Sequence, residues 1–280
     1  MRALLLTYED NGTKEAYRMP KPKTMVITGA TGMIGEALAM RLARLPTTHL
    51  ILPVHDPAKG ARLADHLRKL NGDLELRIET VDLERKSEIQ AFALRLKEPI
   101  QVLVNLAAVT PRRREETPEG IERQFATNVL GYFWMIECLR PQLQAGAPSR
   151  VVNVASYWAG GLQLDDLEFR RRSYDNDAAY RQSKQADRML AAAFAQRFSG
   201  DAISVNACHP GDVPSRLARN LGFGGHQSAD EAADTPAWLA TGLEGQTISG
   251  AYFAYRRREP CPFMRDCQAV ETLFARCAEY

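Results

Sequence analysis

The chain has 280 residues, 45% apolar and 25% charged, an ordinary globular composition that excludes disordered and collagen-like classes. A formal net charge of +2 supplies too little positive field for nucleic-acid binding. The short apolar run in Met1–Asp10 is neither a signal peptide nor a membrane helix, and no later stretch is long enough to span a bilayer; an unanchored cytoplasmic protein is expected. Cys138, Cys208, Cys261, Cys267 and Cys277 include no CxxC pair and no zinc spacing, so reduced thiols are expected and no metal site.

Residues 1–23 read as a polar leader punctuated by Pro20 and Pro22. Thr24–Thr28 is short, apolar and β-branched, the pattern of a buried parallel strand. A glycine-rich turn then opens a helix from Ile34 to about Arg44, ended by Pro46. The alternation continues with a strand at Leu50–Val54, a helix near Pro57–Leu70, a strand at Leu74–Val81, a helix near Lys86–Lys97 and a strand at Ile100–Leu106. A long helical pattern over Glu119–Leu139 precedes a strand at Arg150–Ala155, a helix from Ala178 to Phe198 and a strand at Ala202–Ala207. Ala229–Ala240 reads as helix, Gly250–Tyr255 as the final strand and Val270–Glu279 as a closing helix. Strands alternating with helices of these lengths imply parallel βαβ units. The expected fold is α/β, a single-domain doubly wound Rossmann fold with a mostly parallel sheet of about seven strands and helices on both faces. The domain is expected over residues 24–258, with 259–280 as a tail packed on it.

Gly29, Gly32 and Gly35 lie at the first strand-to-helix junction. Glycines there let the backbone turn tightly and approach a pyrophosphate, whose charge suits the free N–H groups of a helix start. The coenzyme is read at the end of the second strand, where an acid suits the ribose of NAD and a basic group the phosphate of NADP. Val54 occupies the acidic slot, His55 follows it, and Lys59 and Arg62 lie on the next helix. NADP(H) is favoured and NAD(H) stays open. Asp56 is either that acid in a register shifted by two or an N-cap ahead of Pro57.

Tyr180 and Lys184 are four apart on one predicted helix and project from one face. An ammonium nearby favours phenolate over phenol, which fits a tyrosine for acid/base work. Upstream, Arg150–Ser156 is a buried strand ending in a hydroxyl at the edge where doubly wound folds place ligands. Asn128 lies inside the long helix, and Asn105-Leu106-Ala107-Ala108 closes the fourth strand.

With these residues in order, the chain resembles the short-chain dehydrogenase/reductase superfamily from about residue 24 to 258. The resemblance rests on the glycine-rich loop, Asp82-Leu83, Asn105-Leu106-Ala107-Ala108, Asn128, Ser156, Tyr180-x-x-x-Lys184 and His209-Pro210-Gly211. The long Tyr157–Tyr180 segment, with Asp166-Leu167, Tyr174-Asp175 and Ala179–Lys184, is similar to the retinol-dehydrogenase and protochlorophyllide-reductase-like branch. The resemblance implies a catalytic set of Asn128, Ser156, Tyr180 and Lys184. Tyr180 would exchange the proton on the substrate oxygen, Ser156 would hydrogen-bond that oxygen, Lys184 would hold the nicotinamide ribose and bias Tyr180, and Asn128 would order a relay water. The implied coenzyme contacts are Gly29, Thr31, Gly32, Met33, Ile34, Gly35, His55, Asp82, Leu83, Asn105, Ala107, Tyr180, Lys184, Pro210, Gly211 and Val213. A homodimer or tetramer is implied as well.

The expected activity is therefore NAD(P)(H)-dependent interconversion of a ketone or aldehyde and an alcohol. Trp158 and a glycine-flanked apolar flap at Leu217, Leu221 and Phe223 suit a bulky, apolar small-molecule substrate. His209 reads as a packed residue rather than a proton shuttle. The Gly-x-x-Gly-x-x-Gly spacing keeps an epimerase or dehydratase with no net redox change as an alternative, beside a non-catalytic cofactor sensor. Arg triplets at Arg112–Arg114, Arg170–Arg172 and Arg256–Arg258 read as solvated loops, or as a rim for an acidic carrier protein.

Overall fold

A computed structural model describes residues 23–280; apart from Lys23, the leader expected over residues 1–23 lies outside the described residues. Three βα pairs begin the fold: β1 (Lys23–Ile27), α1 (Met33–Ala43), β2 (Thr48–Val54), α2 (Pro57–Leu70), β3 (Glu75–Thr80) and α3 (Lys86–Arg95). Next come β4 (Val102–Asn105), a π-helical turn (Phe125–Leu130) running into α4 (Gly131–Ala145), β5 (Ser149–Val154), α5 (Asn176–Arg197) and β6 (Ile203–His209). The last part holds α6 (Arg216–Asn220), α7 (Ala229–Thr241), α8 (Leu243–Thr247), β7 (Tyr252–Ala254), β8 (Arg257–Glu259), a 3-10 turn (Pro262–Met264) and α9 (Cys267–Ala278).

One eight-stranded sheet runs in the order β3-β2-β1-β4-β5-β6-β7-β8, and only β8 is antiparallel to its neighbour. Parallel strands must bury both faces, and the sequence obliges. Met25 and Ile27 of β1, with Leu50 and Leu52 of β2, pack toward α1, α2 and α7, while Val26 and Ile51 face the cluster built from α3, α4, α5 and α9. The chain reverses direction across the sheet between β1 and β4, which opens a crevice at the carboxyl ends of the strands.

Eight strands stand where about seven were expected, because the third Arg triplet is not a plain loop. Tyr255 and Arg256 both take positive φ, 50° and 58°, forming a two-residue turn that returns the chain as β8 along β7. The long helix also differs from its expected bounds. It starts with the π-turn at Phe125 and continues through Pro141 to Ala145. At the carboxyl end, Phe274 of α9 packs against both Phe133 of α4 and Phe194 of α5, with ring centroids 5.0 and 5.3 Å away. Among the described residues no helix is long and apolar enough to cross a membrane.

Candidate active site

The glycine-rich loop sits at the crevice. Gly29 has φ +68°, and a Cβ there would lie 2.7 Å from the Ala107 backbone, so the first turn can approach the end of β4 only without a side chain. Thr28 holds the same junction from the other side, its Oγ1 accepting from the N–H groups of Leu106 at 2.9 Å and Ala107 at 3.2 Å. Gly35 packs its Cα against the Gly29 carbonyl. Gly32 is different: it is exposed, has φ −84° and ψ 166°, and the protein around it would not fill the place of a Cβ beyond one contact of 3.3 Å. Gly32 is also the N-cap of α1 and provides no side-chain cap. The N–H groups of Met33 and Ile34 behind it thus face outward from a bare helix end, which fits the pyrophosphate of a dinucleotide. Thr31 and Ile34 are half-buried beside it and Met33 is exposed.

At the end of β2, His55 is exposed. Asp56 is the N-cap of α2, its Oδ1 accepting from Ala58 N–H at 2.9 Å and Lys59 N–H at 3.1 Å. Those backbone bonds hold its carboxyl below the ordinary range. Of the two sequence readings for Asp56, the cap is the one the structure takes. The next strand ends alongside, where Val81 N–H meets the Val54 carbonyl at 2.9 Å. Asp82 then closes a turn through Glu84 N–H at 3.0 Å, and Leu83 is buried. Asn105 is buried at the tip of β4 and donates to Asn153 Oδ1 at 3.1 Å. Pro210 and Gly211 follow β6, and Val213 is buried beneath the flap.

Ser156, at the end of β5, and Tyr180, on α5, are both buried, and the Ser156 side chain lies near the Tyr180 phenol. Ser156 Oγ accepts from Trp158 N–H at 3.2 Å. Burial pushes the Tyr180 phenol up to about 12; the Ser156 bond works against this, and Asp187 adds to it. Lys184 lies one turn along α5 from Tyr180 and is buried. Its Nζ donates to the Val154 carbonyl at 3.1 Å and to Asp187 Oδ2 at 2.7 Å, with both side chains sealed from solvent. The ammonium is thus paired with a carboxylate one turn along the helix.

Asn128 lies in the π-turn, where the widened backbone carries it off the ordinary helical path. Its Oδ1 accepts from Val109 N–H at 2.8 Å, and its amide donates to the Val109 carbonyl at 3.1 Å and Ser183 Oγ at 3.2 Å. One side chain thereby clamps the loop after β4 onto α5. His209 accepts from Tyr157 N–H at 3.1 Å, and burial lowers its pKa to about 4. It is a neutral packed residue.

Trp158 and the flap close the crevice. The flap's base is tied where the Asp212 carbonyl accepts from His226 and Gln227 N–H at 3.1 and 2.9 Å. Its far side crosses to the Thr110 carbonyl through Asn220 at 3.1 Å and to Asn176 at 3.1 Å. Phe223 stacks on Trp158, centroids 5.0 Å apart. The Tyr157–Asp175 segment is fastened by its arginines: Arg170 pairs with Glu168, Arg172 with Asp166 and Gln182, and Arg114 with Glu116 and the Glu168 carbonyl. Much of the triplet charge is thus neutralised within the chain, while Arg112 and Arg113 are exposed.

Sequence reasoning passed over Asp187 and Arg188, two charged residues of α5 that are both buried. Arg188 donates to the Ser156 carbonyl and to Tyr252 Oη, and stacks 3.6 Å from the Tyr252 ring centre. The structure buries thirteen of the 22 residues of α5, more than a one-sided helix hides, so charged residues on it find internal partners.

Known proteins match this arrangement. The family model for short chain dehydrogenase matches residues 23–222. Retinol dehydrogenase 13 of Mus musculus is 32% identical over 98% of this chain and 88% of its own length. Retinol dehydrogenase 14 of Homo sapiens is 31% identical over 85% of this chain and 79% of its own. Among solved structures, a protein from Mycobacterium paratuberculosis superposes with a TM-score of 0.77 at 26% identity, covering 92% of this chain and 94% of that one. The Pseudomonas aeruginosa RhlG complex with NADP shares the fold at a TM-score of 0.66 and 23% identity, covering 84% and 95%. The chain belongs to the short-chain dehydrogenase/reductase family, in its retinol-dehydrogenase-like branch, and is an oxidoreductase that works an alcohol/carbonyl couple with a nicotinamide dinucleotide.

Proposed function

We propose that the protein is an NADP(H)-dependent reductase of a bulky, apolar ketone or aldehyde, with Tyr180 as proton donor. The observation that carries this reading is the pair of buried hydroxyl residues Ser156, at the end of β5, and Tyr180, on α5, with the Trp158–Phe223 stack next to Ser156. As hydride reaches a carbonyl carbon, negative charge grows on oxygen, and two O–H donors aimed at that oxygen stabilise the transition state more than the ground state. Burial keeps Tyr180 protonated at neutral pH, the state that reduction needs. Ser156, oriented by Trp158 N–H, holds the substrate oxygen against it. Lys184 would hold the nicotinamide ribose. Asn128 spends its amide and one lone pair on the protein and keeps a second lone pair for a relay water.

The bound nicotinamide supplies the hydride. Gly29, Thr31, Gly32, Met33, Ile34 and Gly35 would hold its pyrophosphate, Asp82 and Leu83 the adenine end, Asn105 and Ala107 the middle, and Pro210, Gly211 and Val213 the nicotinamide side. NADP(H) is favoured because His55, Lys59 and Arg62 gather at the end of β2, where Asp56 caps α2 through Oδ1 and lies 4.0 Å from Lys59 Nζ through Oδ2. Trp158 and Phe223 favour an apolar substrate, and retinol, named by the relatives, is an alcohol of that kind. Purified protein given NADPH and a panel of hydrophobic ketones and aldehydes should consume the coenzyme. Tyr180→Phe should lower kcat by roughly 10²–10⁴-fold with coenzyme binding intact. Turnover of small polar sugars alone, or without net change in nicotinamide absorbance, would overturn the reading in favour of an epimerase or dehydratase.

A further inference from the structure

The proposed chemistry gives Lys184 a task and leaves its partner without one. Asp187 Oδ2 lies 2.7 Å from Lys184 Nζ, and the two side chains are 0% and 2% exposed. Asp187 Oδ1 has no hydrogen-bond partner among the described residues, so the carboxylate's charge rests on Lys184 alone. A buried carboxylate by itself takes up a proton; burial raises the Asp187 carboxyl to about 7, with the Lys184 ammonium working against the rise. The pair lies against the ring of Tyr132, with Nζ 4.9 Å from its centre, and against the carbonyl that ends β5, with Nζ 3.1 Å from Val154 O.

We propose that Asp187 is a positioning residue that fixes the Lys184 ammonium against the Val154 carbonyl and thereby sets the pH at which Tyr180 exchanges its proton. This rests on the reading of Tyr180 as the acid/base. The titratable groups facing the pair are Tyr180 on α5, Tyr132 on α4, Cys208 on β6 and Cys277 on α9. Each ionises to an anion, so Lys184 is the one cation in the cluster; Arg188, next in sequence, turns away to Ser156 and Tyr252. Tyr180 also feels Asp212 and Asp177. Asp187 acts on it in two ways with one sign: its own charge opposes the phenolate, and it cancels the ammonium that would favour it.

The test compares kcat against pH for alcohol oxidation, where Tyr180 must lose its proton, in the wild type, Asp187→Asn and Asp187→Glu. Asp187→Asn keeps the shape and removes the charge, so the alkaline-rising limb should move to lower pH by about one unit, while Asp187→Glu keeps the wild-type limb. Coenzyme fluorescence titration of the same proteins, with kcat read at saturating coenzyme, separates the Tyr180 limb from any change in binding that passes through Lys184. An unmoved limb in Asp187→Asn, whatever the size of kcat, or a limb moved to higher pH, overturns the proposal. Should Asp187→Asn not fold, Asp187→Ser, smaller and equally uncharged, is read in the same way. Full activity in Tyr180→Phe would instead sink the acid/base reading itself, and the two failures are distinct.

Discussion

The indole of Trp158 lies stacked on the ring of Phe223, with planes 11° from parallel and centroids 5.0 Å apart. Trp158 follows the active-site strand and Phe223 sits on the flap, so this contact holds the flap down over Ser156 and Tyr180. Aromatic pairs contribute about 0.5–1.5 kcal/mol beyond their area, a factor of roughly 2 to 12 in an equilibrium. Phe223→Ala should raise KM for bulky apolar carbonyls by that factor and leave the KM of a two- or three-carbon aldehyde unchanged. Equal effects on both would show that the pair does not line the substrate's path.

Removing Lys184 should expose the cost of Asp187. In Lys184→Ala the carboxyl has lost the ammonium that held it down, and its folded pKa rises further above the unfolded value. A raised carboxyl contributes stability in acid and loses it as pH climbs through the folded value. Lys184→Ala should therefore be close to wild type in acid and about 3–5 kcal/mol weaker at alkaline pH. Lys184→Ala combined with Asp187→Asn should lose that dependence. Urea unfolding across the pH range checks both, and a penalty independent of pH would contradict them.

Glu122 gives a second pH dependence of the same sign. Its carboxylate accepts from Gln124 N–H at 2.9 Å and Phe125 N–H at 2.7 Å where the π-turn begins. Burial, helped by Glu168, raises it to about 7. Its contribution is full below the unfolded value and lost as pH rises through about 7, a change on the order of 3 kcal/mol. Glu122→Gln should flatten the stability curve over that window; a slope equal to the wild type's would place the titration elsewhere.

The alternating strands and helices, and the glycines at the first junction, were legible because local pattern decides them. Gly29 could be read as a tight turn from its position after Thr24–Thr28, and the positive φ and the Ala107 approach give the reason. Tyr255 and Arg256 gave no such signal: two-residue turns of this kind favour Asn and Gly, and here the neighbouring strands and the Arg256–Asp234 ion pair impose the conformation. The π-turn was equally hidden, since Asn128 earns its place through Val109 and Ser183, residues distant in sequence. The Tyr180/Lys184 spacing placed both on α5, but spacing says nothing of a third side chain, and Asp187 takes the ammonium.

The face formed by α4 and α5 is covered by the chain's own α9. Phe274 packs against both Phe133 and Phe194, and Arg197 pairs with Glu271 at 2.6 Å. A partner on that face would have to displace the helix. Light scattering should find no association through it in the full chain, and Phe274→Asp should create self-association or lower stability by opening the apolar cluster. A dimer cross-linked through α4 and α5 in the intact chain would contradict this.

The central claim, a dinucleotide seated on the bare start of α1 for reduction at Tyr180, is tested most directly by coenzyme titration of the wild type and Gly32→Asp. The backbone at Gly32 suits any residue, and aspartate is a good N-cap, so the variant should fold with stability equal to or above wild type. Its carboxylate would occupy the place of the pyrophosphate with like charge. The account predicts that the wild type binds NADPH more tightly than NADH and that Gly32→Asp binds neither. A wild type that binds neither coenzyme, or a folded Gly32→Asp that binds both as well as the wild type, would contradict it.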